Sequence, residues 1–507
     1  MTSVSARLRS PRAGTLLAAA ARCAAALAVA LASASCLGTP QPASSRSTRG
    51  GAATPRPRPA TYYLSPDGSD RNAGTSPGRA WRTLARLDRL KVVPGDRLLL
   101  RGGATFDGTL RLRVAGAGSA RRPVTVASFG PGRATIAAGA GSGVEALDSA
   151  GVRIERLVLR GDGPSGNRGS GVSAVNDLPH ARTLRMLVVK DVQASGFGYA
   201  GISVLGSPPD RSQSGFSDVT IEECVADDNR FYGISVNGVE DQRARGYANS
   251  EVTIRGCSAY DNPGDPDYPQ SHSGDGIFLG DVDHGLIYGA RAFDNGALNS
   301  CAGCGPVGIW SADANAVSIE HSEAYENHSG PGGNDGDGFD LDGGVTNSVL
   351  QYDFSRDNDG AGFLIYDYAG APHETRANTI RHDVSRDDSR RGAYSALVLG
   401  GEGGTVSDSD VYDNTITLGP PAGGTPSAVE VFGTTGARFS GNRITTEGGL
   451  PLLDVPTPQP GLQFQGDEYS SSGEPLQILY GGSSYESLAA WSAATGQETS
   501  GVVRAAG

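Results

Sequence analysis

The stretch Asn334-Asp335-Gly336-Asp337-Gly338-Phe339-Asp340-Leu341-Asp342-Gly343-Gly344 packs four carboxylates into eight residues, with Phe339 and Leu341 the only apolar side chains between them. The two-residue period of a strand sends Phe339 and Leu341 to one face and Asp340 and Asp342 to the other. The expectation is an exposed acidic strand on an ordered frame. Cleavage of a glycosidic bond needs two carboxyl groups flanking it, one giving a proton and the other acting as base or nucleophile. Residues two apart on a strand have Cα atoms about 6.6 Å apart, from which side-chain rotamers reach the carboxyl separations such reactions use, about 5 Å or about 6.5–9.5 Å. Crowded carboxylates also raise at least one pKa, as a general acid requires.

A frame for that strand is legible as a repeat. An acid followed by a polar residue recurs as Asp228-Asn229, Asp261-Asn262, Asp294-Asn295, Glu326-Asn327, Asp357-Asn358, Asp387-Asp388 and Asp413-Asn414, at spacings of 33, 33, 32, 31, 30 and 26 residues. The segments before two of these pairs, Val219-Thr220-Ile221-Glu222-Glu223-Cys224 and Val252-Thr253-Ile254-Arg255-Gly256-Cys257, align so closely that Cys224 and Cys257 should stack on successive coils. A second apolar step marks each repeat at Gly201-Ile202, Gly233-Ile234, Gly276-Ile277, Gly308-Ile309, Gly338-Phe339, Gly362-Phe363 and, more loosely, Ala428-Val429. Coils of about thirty residues with short strands and no helical period bury their inward side chains only by stacking on one another. The acid-Asn pairs then read as turns suited to left-handed backbone and to ladders of side-chain hydrogen bonds.

The opening Tyr62-Tyr63-Leu64-Ser65-Pro66-Asp67-Gly68-Ser69-Asp70, with Gly74-Thr75-Ser76-Pro77, Trp81-Arg82-Thr83-Leu84 and Pro94-Gly95-Asp96, is similar to the first coil of secreted bacterial proteins of the right-handed parallel β-helix, or pectate-lyase-like, superfamily. The resemblance runs from about Thr61 to Gly496. It implies an all-β, single-stranded, right-handed parallel β-helix with a short C-terminal helix around Ser487-Leu488-Ala489-Ala490-Trp491 covering the last coil. The divisions expected are residues 1–34 as signal peptide, 35–60 as a Pro/Ser/Arg-rich linker, 61–465 as β-helix, and 466–507 as cap and tail.

A residue type present in every coil belongs to the scaffold, and one that breaks the pattern is a candidate for function. After the apolar step the chain reads Ser203, Ser235, Phe278, Trp310, Asp340, Leu364 and Glu430; two residues later it reads Leu205, Asn237, Gly280, Ala312, Asp342, Tyr366 and Phe432. Two residues before the step, Asp275 and Asp337 stand alone, in register two coils and so about 10 Å apart. Aromatic rings stack on the apolar faces of sugars. The catalytic candidates are therefore Asp337, Asp340, Asp342, Asp275 and Asp367, and the substrate-binding candidates Trp310, Phe278, Tyr366, His284 and His272. Inserts Asn262–Ser273 and Asn295–Pro306 are expected to form the rims.

Residues 1–60 contain eight of the 43 basic residues and no acid, leaving 35 bases against 55 acids in the rest. That balance excludes nucleic acid as a partner. Arg7, Arg9 and Arg12 ahead of an apolar run and Ala32-Ser33-Ala34 read as a secretory signal, which makes the protein extracellular. Cys36 just beyond is a second possibility for membrane attachment, through a lipid. In an exported chain Cys301-Ala302-Gly303-Cys304 is expected to close as a disulfide. A monomer acting on a polysaccharide without cofactor is the expectation, with calcium, if bound, at Asp337 and Asp359.

Three functions compete on these residues. A glycoside hydrolase uses the Asp cluster directly. A calcium-dependent lyase is suggested because Asn334-Asp335-Gly336-Asp337 and Asn358-Asp359-Gly360 resemble the calcium-binding strands of one pectate-lyase family, whose base is a Lys; no Lys follows Lys190, so Arg381, Tyr366 or a His would have to substitute. A noncatalytic glycan-binding solenoid or adhesin needs the aromatics but not the acids.

Overall fold

The computed structural model describes residues 58–114, 121–239, 241, 244–472 and 475–504. The leader, most of the linker and Cys36 lie outside them. The chain winds into a right-handed parallel β-helix of about 14 turns, with one short α-helix, Leu488–Thr495.

One inward column rises through Ile202, Ile234, Ile277, Ile309, Phe339, Phe363, Leu397, Val429, Leu453 and Ile478, each paired in parallel register with the next. The sequence repeat skips Leu397, because Ala396 stands there in place of the preceding Gly. Each such side chain contributes about 2 kcal/mol on burial, and none could be buried by its own coil alone. The Phe339 and Phe363 rings stack at 5.2 Å. A second column holds Ile221, Ile254, Ile287, Ile319, Leu350, Ile380 and Val411, and a third the small Ala226, Ala259, Ala292 and Ala324.

The acid-Asn pairs divide their work. The first residue of each takes the left-handed backbone, with φ between 50 and 55° from Asp228 to Asp387. The second turns inward and donates to its counterpart one coil on: Asn229 to Asn262 (3.1 Å), then Asn295 (2.8 Å), Asn327 (2.9 Å), Asn358 (2.9 Å) and finally Asp388 (2.8 Å). This ladder also explains the glycine of the Gly-apolar step. A Cβ on Gly308 would stand 2.7 Å from Asn327 Nδ2, and one on Gly338 2.9 Å from Asn358 Nδ2. The two motifs of the repeat require one another.

Asp413-Asn414 does not continue this ladder. Its Asn accepts from the amide of Asp383 (2.9 Å) at the other corner of the coil, in the column that begins with Cys224 and Cys257 and passes through Ser322, Asp353 and Asp383 to Asn442 and Asp467. Cys224 and Cys257 do stack, with Cys224 N donating to Cys257 Sγ at 3.4 Å.

Parallel pairing also runs past 465, since Glu468–Ser471 pairs with Arg443–Thr446 and Ile478–Tyr480 with Leu453–Val455. The expected boundary there falls inside the stack. The last coil is covered by Trp491, fully buried among Phe464, Tyr469 and Tyr480. Ser487 caps the helix by accepting from Ala490 N at 3.3 Å. The first coil is closed by Trp81 stacked on Tyr62 at 4.9 Å and by Leu84 and Leu87.

The second corner carries a testable cost. Burial drives Asp383 well above the carboxylate range, and burial together with the charge of Asp383 does the same to Asp353. Groups raised on folding give stability that is complete below about pH 4 and lost as pH rises through their folded values. Asp383→Asn would let the new amide donate to Leu350 O, as Asn414 donates to Ile380 O in the next coil (3.0 Å). We expect it to stabilise the protein by about 1–3 kcal/mol at pH 8 and by little at pH 4, measured as thermal midpoints at both; an equal gain at both pH values would show that the ionisation of Asp383 is not the cause.

Candidate functional site

The groove is built on four successive strands, Asp275–Tyr288, Val307–Glu320, Asp337–Leu341 and Phe363–Tyr368. Their register places Phe278, Trp310, Asp340 and Leu364 in one outward column. Asp337 pairs with Val307, which keeps Asp275 and Asp337 on the same line two coils apart. Phe339 and Leu341 are in the core and Asp340 and Asp342 face outward, as the alternation predicts.

The strand is nevertheless not exposed. Every residue from Asp337 to Leu341 is buried, and Asp340 is 4% accessible. Trp310 of the neighbouring coil stands beside Asp340 in register. Trp310 and Phe278 stack on one another at 4.1 Å and are 5% and 2% accessible. They are therefore walls that dry the acids more than open platforms for a sugar ring. Tyr366, half-buried, donates to Glu402 at 3.1 Å and remains at the rim.

The four acids of the stretch converge. Burial raises Asp337 and Asp340 well above the carboxylate range; Asp335 adds most among the charges on Asp337, and Asp342 most among those on Asp340. Burial, opposed by the Gly343 amide and reinforced by the Asp335 charge, pushes Asp342 up to about 7. Asp337 accepts a short hydrogen bond from Ala361 N, while its other oxygen, and one of Asp340, have no partner among the described residues. Burial, unmatched oxygens and two neighbouring acids all favour the neutral form of these two carboxyls.

Accessibility sorts the four. Asp337 and Asp340 are closed off, whereas Asp335 and Asp342 are half-buried. Asp335 is raised by burial, against which the Gly305 amide and the Tyr394 hydroxyl hydrogen-bond to its carboxylate. Asp275 is fully buried and bridges two elements: one oxygen accepts from Val307 N at 3.1 Å and the other meets His272 Nδ1 at 2.7 Å. His272 lies edge-on to Trp310 at 5.0 Å, and its charge acts on both Asp335 and Asp342. The acids of the cluster that remain partly accessible are thus Asp335 and Asp342, with His272 beside them.

Other predicted residues have different surroundings. His284, with 60% of its side chain accessible, sits at a corner of the coil against Asp283 at 3.0 Å, outside the cluster. Asp367 is committed to two loops, accepting from Thr375 Oγ1 at 3.0 Å and Thr405 N at 2.6 Å. Asp359 accepts from Ser329 N at 3.1 Å and faces His328 at 3.6 Å. Arg381 holds Gln351 and Tyr412 on another face of the coil. Cys301 and Cys304 are joined by a disulfide. The residues the sequence reading overlooked are Tyr394, which comes from a loop with no repeat signal, and Asp335, which lay in plain view in the acidic stretch but two positions before the strand.

Residues 185–373 match the family model for the right-handed β-helix region. The chain is a right-handed parallel β-helix protein. This β-helix is 38% identical over 73 residues to the α-1,3-galactosidase A of Akkermansia muciniphila, covering 14% of the chain and 12% of the relative. Over 457 residues it is 23% identical to the lacto-N-biosidase of Bifidobacterium longum subsp. longum, covering 69% of the chain and 27% of the relative. The alignments thus take in about a quarter or less of either curated relative. Among solved structures, the GH136 lacto-N-biosidase from Eubacterium ramulus superposes with a TM-score of 0.52 at 16% identity, over 83% of this chain and 68% of that one. That likeness is one of fold.

Proposed function

We propose that this β-helix is a secreted glycoside hydrolase acting on a neutral glycan, with Asp342 as proton donor and Asp335 as base or nucleophile. The observation that carries the reading is the convergence of four carboxyls with no Lys or Arg among the described residues paired to any of them. Such a site offers no Lys or Arg to hold a uronate, and an ionised Asp335 stabilises positive charge, as an oxocarbenium-like transition state needs. Burial raises both accessible acids, but their partners differ. Asp335 receives two donors that favour its ionised form, and Asp342, raised to about 7, keeps a proton to give near neutral pH. The relatives named for glycosidase activities point the same way. In this scheme Asp342 protonates the leaving oxygen while Asp335 either activates water or attacks the anomeric carbon. Asp337 and Asp340 remain neutral behind them, and Asp275 orients His272. The mechanism requires no metal or other cofactor.

The test is a screen on neutral and acidic polysaccharides that follows reducing ends and the absorbance of unsaturated products, with and without chelator. We expect reducing ends from a neutral glycan, no unsaturated product and no effect of chelator. Unsaturated uronates released only with calcium would replace the hydrolase by a lyase.

A further inference from the structure

His272 and the Gly305 amide reach the acids from two different loops, and a single buried side chain joins them. Asn299 is fully buried, and its amide is completely engaged. Its Oδ1 accepts from Ser273 N at 3.2 Å and Ser273 Oγ at 3.3 Å, in the residue next to His272. Its Nδ2 donates to the carbonyls of Cys301 at 3.3 Å and Cys304 at 3.2 Å, closing the disulfide loop just ahead of Gly305. Further contacts tie the same two loops, with Leu298 N donating to Pro263 O at 2.6 Å and Ser300 Oγ to Asp265 O at 2.8 Å. Asn299 itself touches none of the acids. Four hydrogen bonds to one buried amide add to these contacts in fixing two otherwise irregular loops relative to each other.

We infer that Asn299 is a positioning residue, locking the His272 loop and the disulfide loop into one unit that holds His272 and the Gly305 N–H against Asp335 and Asp342. Its catalytic consequence rests on the hydrolase reading; its structural consequence does not. Removing the Gly305 hydrogen bond would take away a donor that favours ionised Asp335, so the acidic limb of the rate profile should move to higher pH.

Hydrogen exchange read by mass spectrometry on the full chain tests the structural half. Asn299→Ala should speed exchange in peptides covering 264–275 and 297–306 together, while the core strands stay protected as in the parent protein. Asn299→Asp retains the acceptor but loses the donor and sets a carboxyl against two carbonyls; it should loosen 297–306 and leave 264–275 largely unchanged. Loosening of only one loop in Asn299→Ala, or of the whole coil, overturns the inference. For catalysis we expect kcat about 10- to 100-fold lower, KM within threefold, and the acidic limb displaced upward. Loosened loops with an unchanged pH profile would overturn the catalytic half. A parent protein inactive on every glycan would remove the hydrolase reading and leave the exchange result standing.

Discussion

Asp342→Asn is expected to lower kcat by about 10²- to 10⁴-fold, the usual contribution of a positioned proton donor, with KM nearly unchanged. In the parent protein activity should fall as pH rises through about 7, where Asp342 loses its proton, and that limb should be absent from the residual activity of the variant. The contrast with Asp340→Asn makes the prediction discriminating. Asp340 lies two residues away and is buried, and its surroundings favour its protonated form. A neutral amide reproduces a neutral carboxyl in size and charge, so Asp340→Asn should keep most of the activity. Asp335→Asn should lose as much as Asp342→Asn. Equal losses at positions 340 and 342 would mean that the buried acids, rather than the accessible ones, carry the chemistry, and the assignment of roles would have to be reversed.

Asn327→Ala should destabilise the protein by about 4 kcal/mol. Asn327 Oδ1 accepts from Asn295 N (3.4 Å) and Nδ2 (2.9 Å), and its Nδ2 donates to Ala292 O (3.2 Å) and Asn358 Oδ1 (2.9 Å). Truncation strands groups on both sides in a region without solvent, each at about 1–3 kcal/mol. Asn229→Ala, at the end of the ladder, loses three such bonds, from Phe197 N and to Ala194 O and Asn262 Oδ1, where Asn327→Ala loses four, and should cost less. Urea unfolding followed by fluorescence would read both. Because each coil contacts chiefly its neighbours, the central variant should also divide unfolding into two phases. Equal, small effects at 229 and 327 would reduce the ladder to a decoration of the turns.

The scaffold was legible because it is periodic. Spacings of 33 to 30 residues identified the Asn ladder, and the outlying 26-residue step to Asp413 was the sign that Asn414 belongs to the other corner. The alternation of Phe339-Asp340-Leu341-Asp342 gave the facing of every side chain. What periodicity could not supply was the rest of the site. The surroundings of the acids depend on Trp310 from the preceding coil and on the loops that bring His272 to Asp275 and Gly305 and Tyr394 to Asp335, and each loop occurs once. The same limit explains why Asp335 escaped notice, since its importance comes from a tyrosine 59 positions away in a segment without pattern.

The unbroken run of amides from Asn229 to Asp388 has a mechanical consequence. It passes beneath the coils that carry the acids and fastens each to the next through side chains as well as backbone. A floor pinned in this way has no hinge along its axis and cannot dilate to admit or expel a sugar. Any breathing of the site must come from its banks, and on the hydrolase reading product escape would be governed by how fast those irregular segments part.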